Sequence, residues 1–312
     1  MGEDETPFPE ASPAPMIIDV EFEEVEVSSP VEREVGQSEV REPLDLPRAD
    51  PSPSGRARVV TVINQKGGVA KTTTVINVAA HLAINGHKVL VVDCDSQGNC
   101  GTGFGIDKSR VRYGTRSLMV EPEMAVRARH ATAIENLHLI VADRTLVGIE
   151  EELIAELGRE RRLAEGLEPL LPHYDIILID TPPSLGLVSI NALVASDAVV
   201  IPVQTEYFAL EGLALLASTI REVRHRLNPR LGVDAVIMTM HAPTLLNSQV
   251  AAQLKETFPD LVVEPPVRRN IRLAEAPSHG VPIHIHAPNS HGGRDYRNLS
   301  ASLIELWGLG DK

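Results

Sequence analysis

The stretch from Val59 to Thr74 reads VVTVINQKGGVAKTTT. Its first residues are apolar and mostly β-branched, which is typical of a strand covered on both faces, and a glycine loop and a helical segment follow. Glycines let the backbone approach an anion closely, and the N–H groups at the start of a helix point at that anion. The stretch therefore predicts a phosphate-binding turn between a buried strand and a helix.

The loop follows the pattern K-G-G-x-x-K-[ST] and not the stricter G-x-x-x-x-G-K-[ST], because Gln65 and Ala70 stand where glycines are expected. In this pattern Lys71 reaches the β- and γ-phosphates of a nucleotide, and the Thr72 hydroxyl ligates Mg²⁺. A Cβ at residue 70 is tolerated only where the backbone does not need a positive φ. We therefore expect Ala70 to affect nucleotide affinity.

Short apolar runs alternate with helical segments from Arg58 onward, which predicts repeated βαβ units. One long amphipathic helix is expected over 206–227, where leucine, isoleucine and valine recur every three or four residues. The predicted fold is α/β: a doubly wound, mostly parallel sheet with helices on both faces, in one domain over 58–312. The predicted strands are 59–63, 89–93, 137–141, 176–180, 198–202, 235–238 and 261–263.

The net charge of −14 is concentrated at the N-terminus, where residues 1–56 carry 15 Asp and Glu against 4 Arg and contain nine of the 23 prolines. Such a segment buries too little apolar surface to offset the entropy of ordering. We expect 1–57 to be a disordered acidic, Pro-rich arm. Within it Ile18, Val20 and Phe22 alternate with acids, a pattern that fits either a strand added to the edge of a scaffold protein or a solvated tail. The body, at a net −3, can hold a local basic patch.

Composition excludes several classes of protein. No apolar run is long enough for a transmembrane helix, the first residues lack the features of a secretory signal, and two cysteines cannot form a disulfide framework. A cytoplasmic protein with reduced thiols is expected. Aromatic residues at 3% argue against a stacking surface for single-stranded nucleic acid.

Four later blocks, together with NQKGGVAKTTT (64–74), carry a resemblance to a known family. The chain resembles the deviant Walker A ATPases, a class of P-loop ATPases, and within them the ParA/Soj group of partition ATPases. Ser96 departs from the family pattern, which has proline there. The blocks are VVDCDSQGN (91–99), IILIDTPPSLG (176–186), IPVQTEYFALEGL (201–213) and RRNIRLAEAPSHGVPI (268–283).

The resemblance implies ATP hydrolysis with ATP and Mg²⁺ as cofactors. Lys66 would cross a dimer interface to the partner's phosphates, Lys71 would hold the phosphates within the chain, and Asp95 would orient the attacking water. Thr72 would ligate Mg²⁺, and Asp180 would hold it through water. Asp93 is a further candidate metal residue. The implied nucleotide-binding residues are Lys66, Gly67, Gly68, Val69, Ala70, Lys71, Thr72 and Thr73, with Pro266 and Asn270 beside the adenine.

The resemblance also implies partners. In its ATP state a homodimer would bind double-stranded nucleoid DNA without reading sequence, and a ParB-type centromere-binding protein would stimulate hydrolysis and release it. Such cycles would segregate a chromosome or plasmid from a cytoplasmic, nucleoid-associated pool. The arginines expected to contact DNA phosphates are Arg268, Arg269, Arg272, Arg294, Arg297, Arg221 and Arg224.

Other functions remain open. A ParA-like ATPase that positions a protein cargo would differ only in its partner. A MinD-like membrane switch would need a basic amphipathic C-terminal helix, whereas this sequence ends SLIELWGLGDK. A metabolic P-loop enzyme would need substrate residues that the sequence does not display. Cys94 and Cys100 are too few for a zinc or iron–sulfur site of soft ligands, and the histidines at 279, 284, 286 and 291 lack a partner ligand.

Overall fold

The computed structural model describes residues 46–142, 144–206 and 208–310. Within them eight strands form one sheet in the order β3-β4-β2-β5-β1-β6-β7-β8, and every strand pair is parallel except β3 with β4. This is the predicted doubly wound sheet. The strands are β1 Arg58–Val62, β2 Val89–Asp93, β3 Arg129–Ala131, β4 Leu137–Ile140, β5 Ile176–Asp180, β6 Ala198–Gln204, β7 Gly232–Thr239 and β8 Val262–Val263.

Helices connect the strands, and short 3₁₀ turns occupy parts of the longer connections. The long predicted helix is present as α7, from Ala209 to Arg226. The helices are α1 Lys71–Ile84, α2 Asn99–Gly103, α3 Thr115–Val120, α4 Ile149–Glu152, α5 Arg162–Leu167, α6 Leu187–Ala195, α7 Ala209–Arg226, α8 Leu245–Thr257, α9 Ile271–Glu275, α10 Ile283–His286 and α11 His291–Leu306.

Both faces of the sheet are covered because alternate strand residues point to opposite sides. Val60 and Val62 of β1 pack with α1 and α11, where Tyr296, Leu299 and Leu303 are buried. The residues between them in the strands pack with α3, α5, α6, α7 and α8 on the other face. Each strand therefore needs to be apolar throughout, which explains why the sequence pattern located seven of them.

β1 lies between β5 and β6, so the chain turns to opposite sides of the sheet on leaving these central strands. In open parallel sheets such a point leaves a crevice at the carboxyl ends of the strands. The loop 63–70 leaves β1 at this edge, which we call the carboxyl edge; the opposite edge is the amino edge. The fold thus places the predicted phosphate-binding turn where ligands bind in this class of sheet.

The N-terminal boundary differs from the prediction, because residues 46–57 pack on the domain and do not belong to an arm. We call these residues the strap. Leu46 is 6% exposed, and the backbone of Pro47 and Ala49 pairs with Val233 of β7 at 2.7 and 3.3 Å. The Ser52 hydroxyl donates to the Trp307 carbonyl oxygen at 2.6 Å. Residues 1–56 as a whole are proline-rich and acidic, and this composition masks the few strap residues that are apolar or form hydrogen bonds. The boundary predicted from the sequence was therefore too late.

The arm predicted for the first residues, including Ile18, Val20 and Phe22, lies outside the described residues below position 46 and stays a prediction. None of the described helices combines the length and the apolar character that crossing a bilayer requires.

Candidate nucleotide-binding site

Hydrogen bonds with β6 and β7 hold the loop 63–70 in place. Asn64 donates to the Pro202 carbonyl oxygen at 2.7 Å and accepts from the Lys66 N–H at 2.9 Å. The Gln204 amide donates to the Gly68 carbonyl oxygen at 3.1 Å, and the Thr239 hydroxyl donates to that of Val69 at 3.1 Å. Because the carbonyl oxygens of Gly68 and Val69 accept these hydrogen bonds, the loop is a preorganised turn that leads into α1.

Two residues of this loop, Gly68 and Ala70, have a left-handed backbone conformation. Gly68 has φ +73°, which glycine adopts without steric cost. Ala70, the residue that precedes α1, has φ 68° and ψ 31°. A residue with a Cβ pays about 1–2 kcal/mol for this conformation. The structure therefore places Ala70 in the positive-φ region that the sequence analysis identified as unfavourable for alanine.

Lys71 and Thr72 lie at the start of α1 and point toward the buried acids. Lys71 is only 7% exposed, and its Nζ lies 3.3 Å from the Lys66 carbonyl oxygen. Burial lowers the pKa of Lys71, while the nearby Asp180 and Asp95 raise it and favour the charged form. The Thr72 hydroxyl donates to Asp180 Oδ2 at 2.7 Å. A cation and a hydroxyl thus flank the first turn of a helix, as phosphate and metal binding require.

Asp93 and Asp180 end two neighbouring strands and are register partners, since β2 pairs with β5. Both are fully buried, and burial raises the pKa of each; the pKa of Asp180 rises to about 6, and that of Asp93, which Asp180 also raises, lies well above its usual range. Asp180 Oδ1 is buried and has no hydrogen-bond partner among the residues that the structure describes. Two such carboxylates with an unpartnered oxygen favour a bound cation.

Asp95 lies two residues beyond β2, is partly exposed, and accepts the Gln97 N–H at 3.0 Å. Its own N–H donates to Asp93 Oδ1 at 3.1 Å, which ties its backbone to the buried acid. The carboxylate is close enough to Lys71 and Asp180 to shift the pKa of each. The structure thus brings Asp95 into the same cluster as Lys71 and the strand-end acids.

Lys66 differs from Lys71 because its side chain is half exposed. Its Nζ forms an ion pair with the carboxylate of Glu206, which follows β6 and is itself 56% exposed. Lys66 is therefore accessible from outside the loop that bears it. Sequence reasoning did not single out Glu206, although the residue lies in the quoted block 201–213.

With this geometry, the chain can be compared with known proteins. Residues 57–233 match the family described as AAA domain. The chain is 47% identical over 247 residues to the sporulation initiation inhibitor protein Soj of Bacillus subtilis (strain 168), an alignment that covers 79% of this chain and 98% of that protein. The chain belongs to the ParA/Soj family.

Two further proteins agree with this family assignment. The chromosome partitioning protein ParA of Caulobacter vibrioides is 41% identical over 250 residues, 79% of this chain and 94% of that protein. A crystal structure of cobyrinic acid a,c-diamide synthase of Mycobacterium smegmatis, with bound ATP analogue and magnesium, is 31% identical and has a TM-score of 0.70, covering 81% of this chain and 96% of that one. The family and the cofactors ATP and Mg²⁺ that the sequence predicted are thereby confirmed.

The residues of this ParA/Soj-family site fit ATP and Mg²⁺. The loop offers backbone N–H groups at the start of a helix, Lys71 offers a buried cation, and Thr72 and Asp180 offer oxygen ligands of the kind that Mg²⁺ prefers. The unpartnered Asp180 Oδ1 is the observation that most directly shows that these residues fit a cation.

A cavity of about 400 Å³ adjoins the loop of the family site on the side of β7. Asn270 lines this cavity, and its side chain also accepts the Arg272 N–H at 2.9 Å at the start of α9. Pro266 is not among the residues that line it. The lining residues are Ala70, Thr73, Thr239, Met240, Val267, Arg268, Arg269, Asn270, Ile271, Leu273, Ala274 and Tyr296.

The arginines that the family resemblance linked to DNA form two separate groups. Arg221 and Arg224 lie near the end of α7, at the amino edge, and Arg224 donates to the carbonyl oxygens of Arg48 and Leu231. The others lie around α9 and in the first half of α11, toward the carboxyl edge: Arg268, Arg269, Arg272, Arg294 and Arg297. The seven arginines therefore do not form one stripe within a single chain.

The arginines of the second group differ in how they are held. Arg268 forms an ion pair with the buried Asp295 at 2.6 Å, and Arg272 pairs with Glu275 at 2.8 Å. Arg269 is exposed, and its N–H donates to the His241 carbonyl oxygen at 3.1 Å. The charge of Arg268 is therefore paired with Asp295, while Arg269 presents its charge to solvent.

The four histidines set aside by the sequence analysis form no three-ligand metal group in the described part of the chain. His279 and His286 stack with ring centroids 4.6 Å apart, and burial lowers the pKa of His284 to about 4. Their packing positions α10 against its neighbours.

Proposed function

We propose that this chain is a ParA-type partition ATPase whose ATP-bound dimer binds nucleoid DNA without sequence preference. The observation that carries the proposal is the contrast between the two loop lysines, one buried beside the acids and one exposed at the rim. Its 47% and 41% identity to Soj and ParA supports this function over a synthase function, for which the identity is 31%. Hydrolysis of ATP to ADP and phosphate follows from the same family site.

Within one chain, Lys71 and the loop N–H groups hold the β- and γ-phosphates, because they supply positive charge in a partly dry site. Thr72 would ligate Mg²⁺ and Asp180 would hold it through water, and the bound ion would neutralise charge on the phosphate oxygens. Asp93 acts indirectly, since its oxygens accept the N–H groups of Asp95 and Cys100 and so fix the turn after β2. Asp95 orients the attacking water.

Between two chains, Lys66 supplies charge to the nucleotide of the partner. Its ion pair with Glu206 is exposed at both ends, and such pairs contribute only about 0.2–1 kcal/mol. Phosphates offer more negative charge than one carboxylate, so Lys66 exchanges Glu206 for the partner's ATP at small cost. Dimerisation then depends on the γ-phosphate and ends with hydrolysis.

DNA binding follows dimerisation, because two chains present the arginines of the carboxyl edge together. Arg269 is the main candidate for a phosphate contact. Contacts to phosphate carry no sequence information, and their strength falls steeply with salt. A ParB-type partner would stimulate hydrolysis and release the protein from the nucleoid, and a scaffold protein would bind the N-terminal arm.

A test compares wild type with two variants on unrelated DNA fragments, with ATP and Mg²⁺. Lys71→Ala should lose nucleotide binding and DNA binding together, whereas Asp95→Ala should bind ATP, hydrolyse it slowly and remain on DNA. Wild-type binding that needs one particular sequence, or that does not need ATP, contradicts the proposal. A ParA-like positioner of a protein cargo would pass this test, and is identified if a ParB-type protein fails to stimulate hydrolysis.

A further inference from the structure

Cys100 lies beside the two strand-end acids, at the start of α2. Asp93, Cys100 and Asp180 are each no more than 1% exposed, and each offers a ligand atom that lies within 4.8 Å of those of the other two. Cys100 Sγ is 3.5 Å from Asp180 Oδ2. Two cysteines alone are too few for a metal site made of soft ligands. The fold, however, brings two carboxylates next to one of them, Cys100.

The spacing suits a tetrahedral cation. With metal–sulfur and metal–oxygen bonds of usual length for zinc, a sulfur and an oxygen ligand lie about 3.6 Å apart. The Cys100 S–H donates to Asp180 Oδ2 at 3.5 Å, so an ion that replaces the thiol proton fits between the two atoms without moving them. Asp180 Oδ1 is buried and has no hydrogen-bond partner in the described part of the chain, so the cluster keeps a free carboxylate oxygen that either Mg²⁺ or a soft cation could bind.

The acids and the thiol are also held in position before any ion binds. Asp93 accepts the Asp95 N–H through Oδ1 and the Cys100 N–H through Oδ2, at 3.1 and 3.0 Å. The second bond joins the end of β2 to the first turn of α2, so that the acid and the thiol move together. Preorganised ligands lose little conformational freedom when a cation binds.

We propose that Asp93, Cys100 and Asp180 form a mixed carboxylate and thiolate site for a soft divalent cation of the Zn²⁺ or Cd²⁺ type. The ion binds the thiolate, so the S–H bond breaks and its proton leaves to solvent. A water molecule would complete four ligands, and the Thr72 hydroxyl would keep its hydrogen bond to Asp180 Oδ2 at 2.7 Å. Mg²⁺ prefers oxygen ligands and leaves the thiol protonated.

This site shares Asp180 with the Mg²⁺ position, and this consequence rests on the proposed function. The two ions therefore exclude each other. Zn²⁺ bound by Cys100 would occupy the acid that ATP-dependent dimerisation requires for Mg²⁺. The partition ATPase would be inhibited by a soft cation through a residue, Cys100, that does not itself contact the nucleotide.

The experiment titrates the full-length reduced protein with CdCl₂ and, separately, ZnCl₂ in the absence of nucleotide. The ultraviolet charge-transfer band of a cadmium–thiolate bond is recorded, and affinity is measured by calorimetry. Cys100→Ser removes the thiol with little change in size. Cys94→Ser is the matched control, because Cys94 is equally buried but packs on the opposite face of the sheet from Cys100.

Wild type and Cys94→Ser should show the band with one cation per chain, and Cys100→Ser should lose the band and bind at least about tenfold more weakly. Asp93→Asn should weaken binding while keeping the band. No band in wild type, or a band that survives Cys100→Ser, overturns the proposal. Thermal unfolding of each variant identifies any that fails to fold, and ATP-dependent dimerisation with Mg²⁺, measured separately, shows whether the proposed function fails instead.

Discussion

Ala70 offers the sharpest test of how the phosphate loop is built. Its backbone lies at φ 68° and ψ 31°, in the left-handed region. Changing it to glycine removes a cost of about 1–2 kcal/mol in the folded state but adds about 0.5–1 kcal/mol of chain entropy on folding. Ala70→Gly should therefore raise the free energy of unfolding by about 0.5–1 kcal/mol.

Gly68, in the same loop, allows the reverse substitution, from glycine to alanine. It has φ +73°, and a Cβ built there meets no atom within 4 Å. Gly68→Ala thus tests the backbone conformation without any clash, and should lower the free energy of unfolding by about 0.5–1 kcal/mol. One substitution removes a Cβ and the other adds one, at left-handed positions two residues apart. Their effects on the free energy of unfolding should therefore be opposite in sign and similar in size.

The assay is denaturant unfolding without nucleotide, followed by thermal unfolding. For a domain of this size, 1 kcal/mol corresponds to about 2–4 °C in Tm. Nucleotide affinity, measured in parallel, should not fall in Ala70→Gly, because glycine holds the same turn without steric cost. If Ala70→Gly destabilises the protein, or if Gly68→Ala is neutral, the left-handed backbone carries no strain in this loop and the reasoning is refuted.

One charge neutralisation, one pair of charge reversals and two deletions test the proposals on dimerisation, DNA binding and the strap. Glu206→Gln should free Lys66 and strengthen ATP-dependent dimerisation about two- to fivefold at low salt, as sedimentation would show; an unchanged or weaker dimer would contradict the proposed exchange of Glu206 for the partner's ATP at Lys66. Changing Arg269 and Arg272 to Glu should weaken DNA binding equally on unrelated sequences while dimerisation persists; a loss confined to one sequence contradicts it. Deleting 1–45 should leave Tm unchanged, whereas deleting the strap as well should cost at least about 2 kcal/mol through lost burial, and equal Tm values would show that the strap is not part of the folded domain.

The sheet was predictable because its strands are buried on both faces and read as continuous apolar runs. Strands β2 and β5 begin and end at the predicted residues, since an aspartate ends each apolar run. Strand β3 was missed because Arg129–Ala131 is short, only partly buried and antiparallel at the sheet's edge. The strap was missed for a related reason: its pairing with β7 uses backbone groups, which leave no mark in the side-chain pattern.

The site was predictable where motif and strand end coincide, and not where the fold brings distant residues together. Lys71 and Thr72, which the loop pattern singled out, lie beside Asp180, which only the family resemblance singled out; their roles toward phosphate and Mg²⁺ stay predictions. The pairing of Lys66 with Glu206 depends on the order of β1 and β6 in the sheet, which the sequence does not specify. The contact of Cys100 with Asp180 likewise depends on β2 lying beside β5.

The central claim is that Lys66 acts across an ATP-dependent dimer interface. The most direct measurement is the mass in solution of Asp95→Ala, with ATP and Mg²⁺, compared with the double variant that also carries Lys66→Ala. The slowly hydrolysing Asp95→Ala should be a dimer with ATP and a monomer with ADP, and the double variant should remain a monomer that still binds ATP. A double variant that dimerises as well as Asp95→Ala would contradict the account.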